Sequence, residues 1–282
     1  MERLPAPTTD EWLDLYLRED LDVAGDVTSD SIFPAGEQGE VRLVAREPFF
    51  AVGLEHARVV FERLGCKARV EKDVAWVDAG DVLLTATGPV RGLLAAERLA
   101  LNLVARMGGI ATVTRRLVEE LGRECSGCRV AATRKTTPGF RLFEKEAVAL
   151  AGGDPHRRGL WDEAMVKDNH REAAGSVAAA VARVRAAHRD LVVTAEVESL
   201  EGALAAAEAG AHWLLIDNQP PGIGKEWARE VWGAHPNVKI EASGGIRPEN
   251  VLDYGWADRV SMGALTQAAP AADVSLEWGP AA

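Results

Sequence analysis

The sequence predicts an α/β protein in two parts. A small N-terminal α+β domain spans 1–107, a shortened α/β barrel spans 108–269, and the tail 270–282 returns to the first part. Three observations carry this. Short strand-like runs broken by Pro, Gly and charge crowd the first hundred residues. From residue 129 the rhythm changes to six short apolar stretches, most of them separated by Ala-rich helical segments, as in a parallel sheet with right-handed crossovers. Each stretch ends in polar or glycine residues, where barrel active sites lie.

In the first part, residues 40–46 (EVRLVAR), 49–54 (FFAVGL), 68–77 (ARVEKDVAWV) and 81–87 (DVLLTAT) read as strands of an antiparallel or mixed sheet, with a helix over His56–Leu64. Residues 90–106 predict a helix, Gly108–Gly109 a break, and the residues to about Leu121 a second helix. The barrel strands are VAATRK (130–135), AMVKDN (164–169), VVTAEVE (192–198), WLLIDN (213–218), VKIEASGG (238–245) and RVSMGAL (259–265), with helices such as Ala173–Ala187 and Leu200–Ala209 between them. A Rossmann sheet is the rival, but no GxGxxG follows a first strand. About 150 residues are too few for eight full β/α units, which take ~250, so the barrel is shortened.

The chain has 282 residues, 47% hydrophobic and 27% charged, enough for an ample core. A formal net charge of -11 argues against nucleic acid as the main partner. No apolar run reaches the ~18 residues of a membrane span. MERLPAPTTDEW lacks the apolar core of a secretory signal. Three cysteines, Cys66, Cys125 and Cys128, fit a reducing cytoplasm. Cys125 and Cys128 form a lone CxxC in the turn ECSGCR, without further ligands for a metal and before a strand rather than after one, so a surface turn with two thiols is expected.

Against this acidic background, Thr133–Arg158 holds six Lys/Arg and three acids. Arg forks match carboxylates and phosphates bidentately, and Lys adds a point charge. The segment therefore predicts a pocket for a small, multiply anionic ligand. If the six strands close on one mouth, that mouth gathers Arg134, Lys135, Lys167, Glu196, Asp217, Ser243-Gly244-Gly245 and Gly263-Ala264. The cations suit carboxylate and phosphate, the two acids suit a divalent cation or ribose hydroxyls, and SGG offers backbone N–H groups to a phosphate. Of the adjacent Arg157 and Arg158, one is expected to face inward. Arg98 lies beside the apolar stripe of its helix, either as a snorkelling or paired cation or as an anion contact offered by the first domain.

TRKTTPGFR, then GGDPHRRGL, then MVKDNH resemble the quinolinate phosphoribosyltransferase family. The likeness continues in GDVTSD near 25, AERLALN at 96, GGIATVTRRLVE at 108, AEVESLEGALAAAEAGA at 195, LLIDN at 214 and EASGGI at 241. The resemblance implies an enzyme of pyridine nucleotide (NAD) biosynthesis, a pentosyltransferase. It would join quinolinate to phosphoribosyl pyrophosphate with Mg²⁺ and no organic cofactor, giving nicotinate mononucleotide, pyrophosphate and CO2. It also implies a homodimer in which one subunit's N-terminal domain covers the other's barrel mouth. The resemblance further implies an N-terminal α+β sandwich domain and an open α/β barrel. By motif position, Arg134, His156, Arg157 and Lys167 would hold the two quinolinate carboxylates, Arg98 would reach them from the partner subunit, and Thr133 would be a further substrate-binding residue. Lys135 would face phosphoribosyl pyrophosphate, Glu196 and Asp217 would take the ribose hydroxyls and Mg²⁺, and Ser243, Gly244, Gly245, Gly263, Ala264 and Leu265 would cradle the 5'-phosphate. The chain departs from the family pattern at Ala132, where an acid is usual, at Gly108, where Ser is usual, and at Glu146 and Ala151. These leave open a paralogue with a different acidic acceptor, of the molybdenum-transport-associated type, or a non-catalytic binding protein. KDNH at 167–170 argues against the first, and the intact charged site residues argue against the second.

Overall fold

The computed structural model describes residues 5–125 and 127–279. The outer ends of the expected spans, 1–4 and 280–282, and Ser126 of the ECSGCR turn lie outside the described residues. In chain order the first elements are α1 (Thr9–Leu21), α2 (Val27–Ile32), β1 (Gln38–Ala45), β2 (Phe49–Ala51), α3 (Leu54–Arg63), β3 (Lys67–Val70), β4 (Ala75–Val77), β5 (Val82–Pro89) and α4 (Val90–Glu124). Then come β6 (Arg129–Ala131), α5 (Arg141–Leu150), β7 (Ala164–Val166), α6 (Asp168–Ala174), α7 (Val177–Ala187), β8 (Val193–Val197), α8 (Leu200–Glu208), β9 (Trp213–Asp217) and α9 (Pro221–Ala234). The chain ends with β10 (Lys239–Ser243), a 3-10 turn (Pro248–Tyr254), β11 (Arg259–Ser261), α10 (Ala264–Gln267) and β12 (Val274–Trp278). Two compact units result: Met1–Val113 with Pro138–Ala151 and Ala269–Ala282, and Thr114–Thr137 with Gly152–Ala268.

The first unit is built on an antiparallel sheet of order β12-β1-β5-β3, with β2 and β4 as a separate antiparallel pair. The tail returns as β12, and the run expected as one strand over 68–77 is two, β3 and β4, with Val74 in left-handed backbone between them. Helices α1 and α2 have no counterpart in the reading above, although the capping box at Thr8 and Glu11 was a legible start signal.

Gly108–Gly109 does not break the helix; α4 runs unbroken through both residues. The reason is packing. A Cβ on Gly108 would lie 2.7 Å from the Phe49 ring, and one on Gly109 would lie 1.8 Å from the Pro270 carbonyl. The glycines let two chain segments press onto the helix, outweighing a helix-propensity cost of about 1 kcal/mol each. The Thr112 hydroxyl donates to the Gly108 carbonyl at 2.7 Å and accepts from Phe50 N–H at 2.8 Å.

Helix α5 follows the first barrel strand in sequence but packs within the first unit. Its Glu144, fully buried, accepts from Arg106 at 2.8 Å, and its Glu146 faces His56 at 3.0 Å. Tyr16, Phe140 and Phe143 stack beside it, with the Tyr16 hydroxyl donating to the Gly139 carbonyl. Arg141 opens this helix, and Lys145 within it is buried.

The second unit holds all six expected barrel strands. They form a wholly parallel sheet of order β6-β11-β10-β9-β8-β7. Among the described residues β6 and β7 share no ladder, and only an isolated bridge from Ala131 to Asp154 extends the β6 edge, so the barrel is open. The helix expected over 173–187 is divided: Gly175 at φ +90° ends α6, and Ser176 caps α7 by accepting from Ala179 N–H.

Candidate active site

Parallel strands put their C-terminal ends on one side of the sheet, and the expected mouth residues of the second unit occupy those ends. Thr133, Arg134 and Lys135 follow β6, and Lys167 follows β7. Glu196 and Asp217 lie at the ends of β8 and β9, and Ser243 closes β10. Gly263 follows β11, and Ala264 and Leu265 open α10. The loop after β6 is tied to α10 by the Thr266 hydroxyl, which donates to the Lys135 carbonyl at 2.6 Å.

The cations divide into two kinds. Lys167 is committed, its Nζ bonded to Glu196 Oε2. Arg134 and Arg157 are not: among the described residues neither guanidinium has a carboxylate within ion-pair distance. Arg157 is buried, and its one side-chain hydrogen bond goes to Met165 Sδ at 3.3 Å. Arg134 Nε is buried without a hydrogen-bond partner. Burial, and then the charge of Arg134, lower the pKa of Arg157. A buried guanidinium beside a half-buried one of like charge destabilises the ligand-free site and favours an anion. A cavity of about 620 Å³ opens on Arg134, Arg157 and Lys167, with Met165, Val166 and Leu160 among its apolar walls.

The acids form the other half. Burial pushes the Asp217 carboxyl up from its usual range, and the Glu196 charge adds to this; Asn218, donating to Asp217 Oδ2 at 2.6 Å, works against it. Asp217, with Glu196 beside it, suits a cation or hydroxyl donors. Among the described residues no group of three or more His, Cys, Asp or Glu could hold a metal ion. Beside them, Gly244 sits at φ +91°, and a Cβ there would fall 2.3 Å from Asn218 Oδ1; Gly245 follows at φ +64°. Only glycine serves at 244, and the turn stays open to an anion.

His156 and Arg157 lie on the loop beyond Asp154. The His156 ring is 4% exposed and has both nitrogens engaged: Nδ1 accepts from Arg157 N–H at 2.6 Å and Nε2 lies 3.3 Å from Glu241 Oε1. Arg158, of the same pair, is exposed, its N–H bonded to Asp162. Arg98 is exposed on α4 in the first unit. The four departures have local explanations. Gly108 packs on Phe49, Glu146 faces His56, Ala151 ends α5, and Ala132 is buried with its N–H on the Asp154 carbonyl.

Strand patterning did not reveal the charged interior of the barrel. Glu241 on β10 and Arg259 on β11 are register partners, both buried, with Arg259 Nε donating to Glu241 Oε2 at 2.7 Å. Burial would raise the Glu241 carboxyl, but the His156 hydrogen bond and the Arg259 charge outweigh it and hold it at about 2. The available signal was a charge inside each of two short apolar stretches, of opposite sign.

Fold and site together define an α/β-barrel protein whose strand ends gather cations, two acids and a glycine turn, a set suited to a small polyanion. The chain belongs to the quinolinate phosphoribosyltransferase family: the N-terminal domain of that family matches residues 26–108 and its C-terminal domain residues 110–277. A probable nicotinate-nucleotide pyrophosphorylase [carboxylating] of Methanothermobacter thermautotrophicus is 39% identical, covering 89% of this chain and 92% of that protein. The human nicotinate-nucleotide pyrophosphorylase [carboxylating] is 39% identical over 97% of this chain and 93% of its own length. The solved structure of the Francisella tularensis nicotinate-nucleotide pyrophosphorylase superimposes with a TM-score of 0.88 at 30% identity, covering 99% of this chain and all of that one (100%).

Proposed function

We propose that this chain transfers phosphoribosyl from 5-phosphoribosyl 1-pyrophosphate to quinolinate with loss of CO2, giving nicotinate mononucleotide and pyrophosphate. The observation that carries the reading is the Arg134–Arg157 pair in a protein of net charge -11: Arg157 is buried, Arg134 is half-buried with its Nε out of water, and among the described residues neither has a carboxylate within ion-pair distance. Pyridine-2,3-dicarboxylate supplies two adjacent carboxylates of the geometry Arg forks match.

Arg134 and Arg157 hold the carboxylates and Lys167 stands at the junction with the ribose side. This orients the ring nitrogen toward the ribose C1', an entropic contribution. Glu196 and Asp217 take the ribose hydroxyls and would hold Mg²⁺, whose remaining ligands come from substrate oxygens. When bound, the ion neutralises charge developing on the leaving pyrophosphate. Lys135, exposed at the mouth, adds to that neutralisation. The SGG turn and the 263–265 turn receive the 5'-phosphate. After transfer the ring nitrogen is cationic and stabilises the electron pair left on the ring carbon as the adjacent carboxylate departs as CO2, and a proton from solvent then bonds to that carbon, so the ring serves as the electron sink. No organic cofactor is needed. Exposed Arg98 is the residue a second copy would offer in a homodimer. Among the described residues no helix is long and apolar enough to cross a membrane, and we place the enzyme in the cytoplasm.

The test is direct. Purified protein is mixed with quinolinate, phosphoribosyl pyrophosphate and Mg²⁺, and nicotinate mononucleotide is measured. A folded protein that makes none rejects the assignment.

A further inference from the structure

We infer that Arg259 is a positioning residue for the acceptor half of the site, acting through Glu241 and His156 on the backbone of Arg157. The inference rests on the function proposed above.

Arg259 opens β11 and its side chain is 4% exposed. Its guanidinium is fixed on several sides. It contacts Glu241 at 2.6 Å, lies within 3.7 Å of Glu163 and 3.6 Å of Asp154, and stacks over the Trp213 ring at 4.0 Å. Glu163 is itself held by the Thr194 hydroxyl at 2.6 Å. A planar fork stacked on an indole and paired to carboxylates has little rotational freedom.

That fixed group holds Glu241, and Glu241 in turn carries His156, since Arg259 Nη2 and the protonated ring Nε2 are both donors. Nε2 of the ring lies 3.2 Å from Arg259 Nη2 and 3.3 Å from Glu241 Oε1. Because Nδ1 accepts from Arg157 N–H, the ring proton resides on Nε2, directed at Glu241. One imidazole thus links the barrel interior to the main chain of the acceptor arginine. His156 also holds φ +56°, a left-handed conformation that a non-glycine residue keeps only where its surroundings over-determine it. Arg259, Glu241 and the Arg157 amide supply that determination. The Arg157 guanidinium is in turn set beside Arg134.

Stability is a poor reason for such a cluster, since buried ion networks replaced by apolar side chains are often as stable or more so. Placement is the better one. Displacing an orienting group by about 1 Å can cost up to about a hundredfold in rate.

Arg259→Met and Arg259→Lys in the full chain test this, with circular dichroism and melting to confirm folding. In Arg259→Met the KM for quinolinate should rise about tenfold or more, while that for phosphoribosyl pyrophosphate stays within about twofold. Arg259→Lys, which keeps the charge but loses fork and stack, should fall between Met and wild type. Independently of activity, the His156 Nε2–H signal in ¹⁵N-imidazole spectra, assigned by its absence in His156→Gln, should shift or exchange away in both Arg259 variants. Equal rises in both KM values, or an unchanged quinolinate KM with an unchanged imidazole signal, overturn the inference. If Arg259→Met does not fold, Arg259→Lys decides by the same two readouts. Wild-type protein that makes no nicotinate mononucleotide would sink the functional reading, yet the imidazole spectra would still decide whether Arg259 holds His156.

Discussion

Arg134→Met separates a ligand-binding arginine from a structural one, because the two readings predict opposite signs. The wild-type site holds Arg134 Nε buried and unpartnered beside the buried Arg157 guanidinium. Leaving a buried donor unsatisfied costs about 1–3 kcal/mol. Methionine removes that donor and the repulsion on Arg157 while keeping most of the apolar stem, so the ligand-free protein should gain stability on the order of 1–2 kcal/mol. At about 2–4 °C per kcal/mol for a chain of this size class, the melting temperature rises by a few degrees. Function should move the other way. A charge-assisted fork of two hydrogen bonds at about 1.5–3 kcal/mol each is lost, and with 1.4 kcal/mol per decade kcat/KM for quinolinate falls about 10²- to 10⁴-fold. The assays are thermal melting without ligand and initial rates with quinolinate varied. A variant that melts lower and keeps its kcat/KM would refute the reasoning, because Arg134 would then be a packing residue.

Three further outcomes follow from named groups. The folded-state pKa of Asp217 lies above its unfolded value, so its contribution favours folding below the unfolded carboxylate range and is lost as pH rises through the raised value. Asp217→Asn should therefore melt higher than wild type at pH 7, with the difference closing near pH 4, and should lose activity; a variant that melts lower at pH 7 would contradict the burial argument. Gly109→Ala should destabilise by about 1–3 kcal/mol despite alanine's better helix propensity, because the methyl meets the Pro270 carbonyl; denaturant melts showing a gain would remove the packing account of the double glycine. Burial, and then the Cys125 charge, push the Cys128 thiol up to about 12, so a thiol reagent at pH 8 should modify Cys125 first, and peptide mapping that finds Cys128 first would reverse the order.

The six barrel strands were legible because each is a short apolar run stopped by the polar or glycine residues that the site itself requires. Periodicity and chemistry mark the same boundaries there, from Arg134 after β6 to Ser243 at the end of β10. Where the two diverge, local reading failed. Gly108–Gly109 carries a break signal, yet its meaning lies in Phe49 and Pro270, far off in sequence. Helix α5 follows the alternation of a barrel helix, yet Glu144 and Glu146 bind Arg106 and His56 of the first unit.

The charged interior was hidden for a related reason. A hydrophobic pattern counts Glu241 and Arg259 as interruptions and cannot see that parallel register makes them neighbours. Once paired, they change what His156 can be. With Nδ1 on the Arg157 amide and Nε2 toward Glu241, the ring reaches a substrate carboxylate only by releasing one of these bonds. Releasing Glu241 would take a hydrogen bond from a fully buried carboxylate otherwise held by Arg259 and Ser261, and releasing the amide would free the backbone that carries Arg157. Both cost what the acceptor clamp needs. In this chain the geometry therefore favours Arg134 and Arg157 as the direct contacts, with the histidine holding the second of them in place.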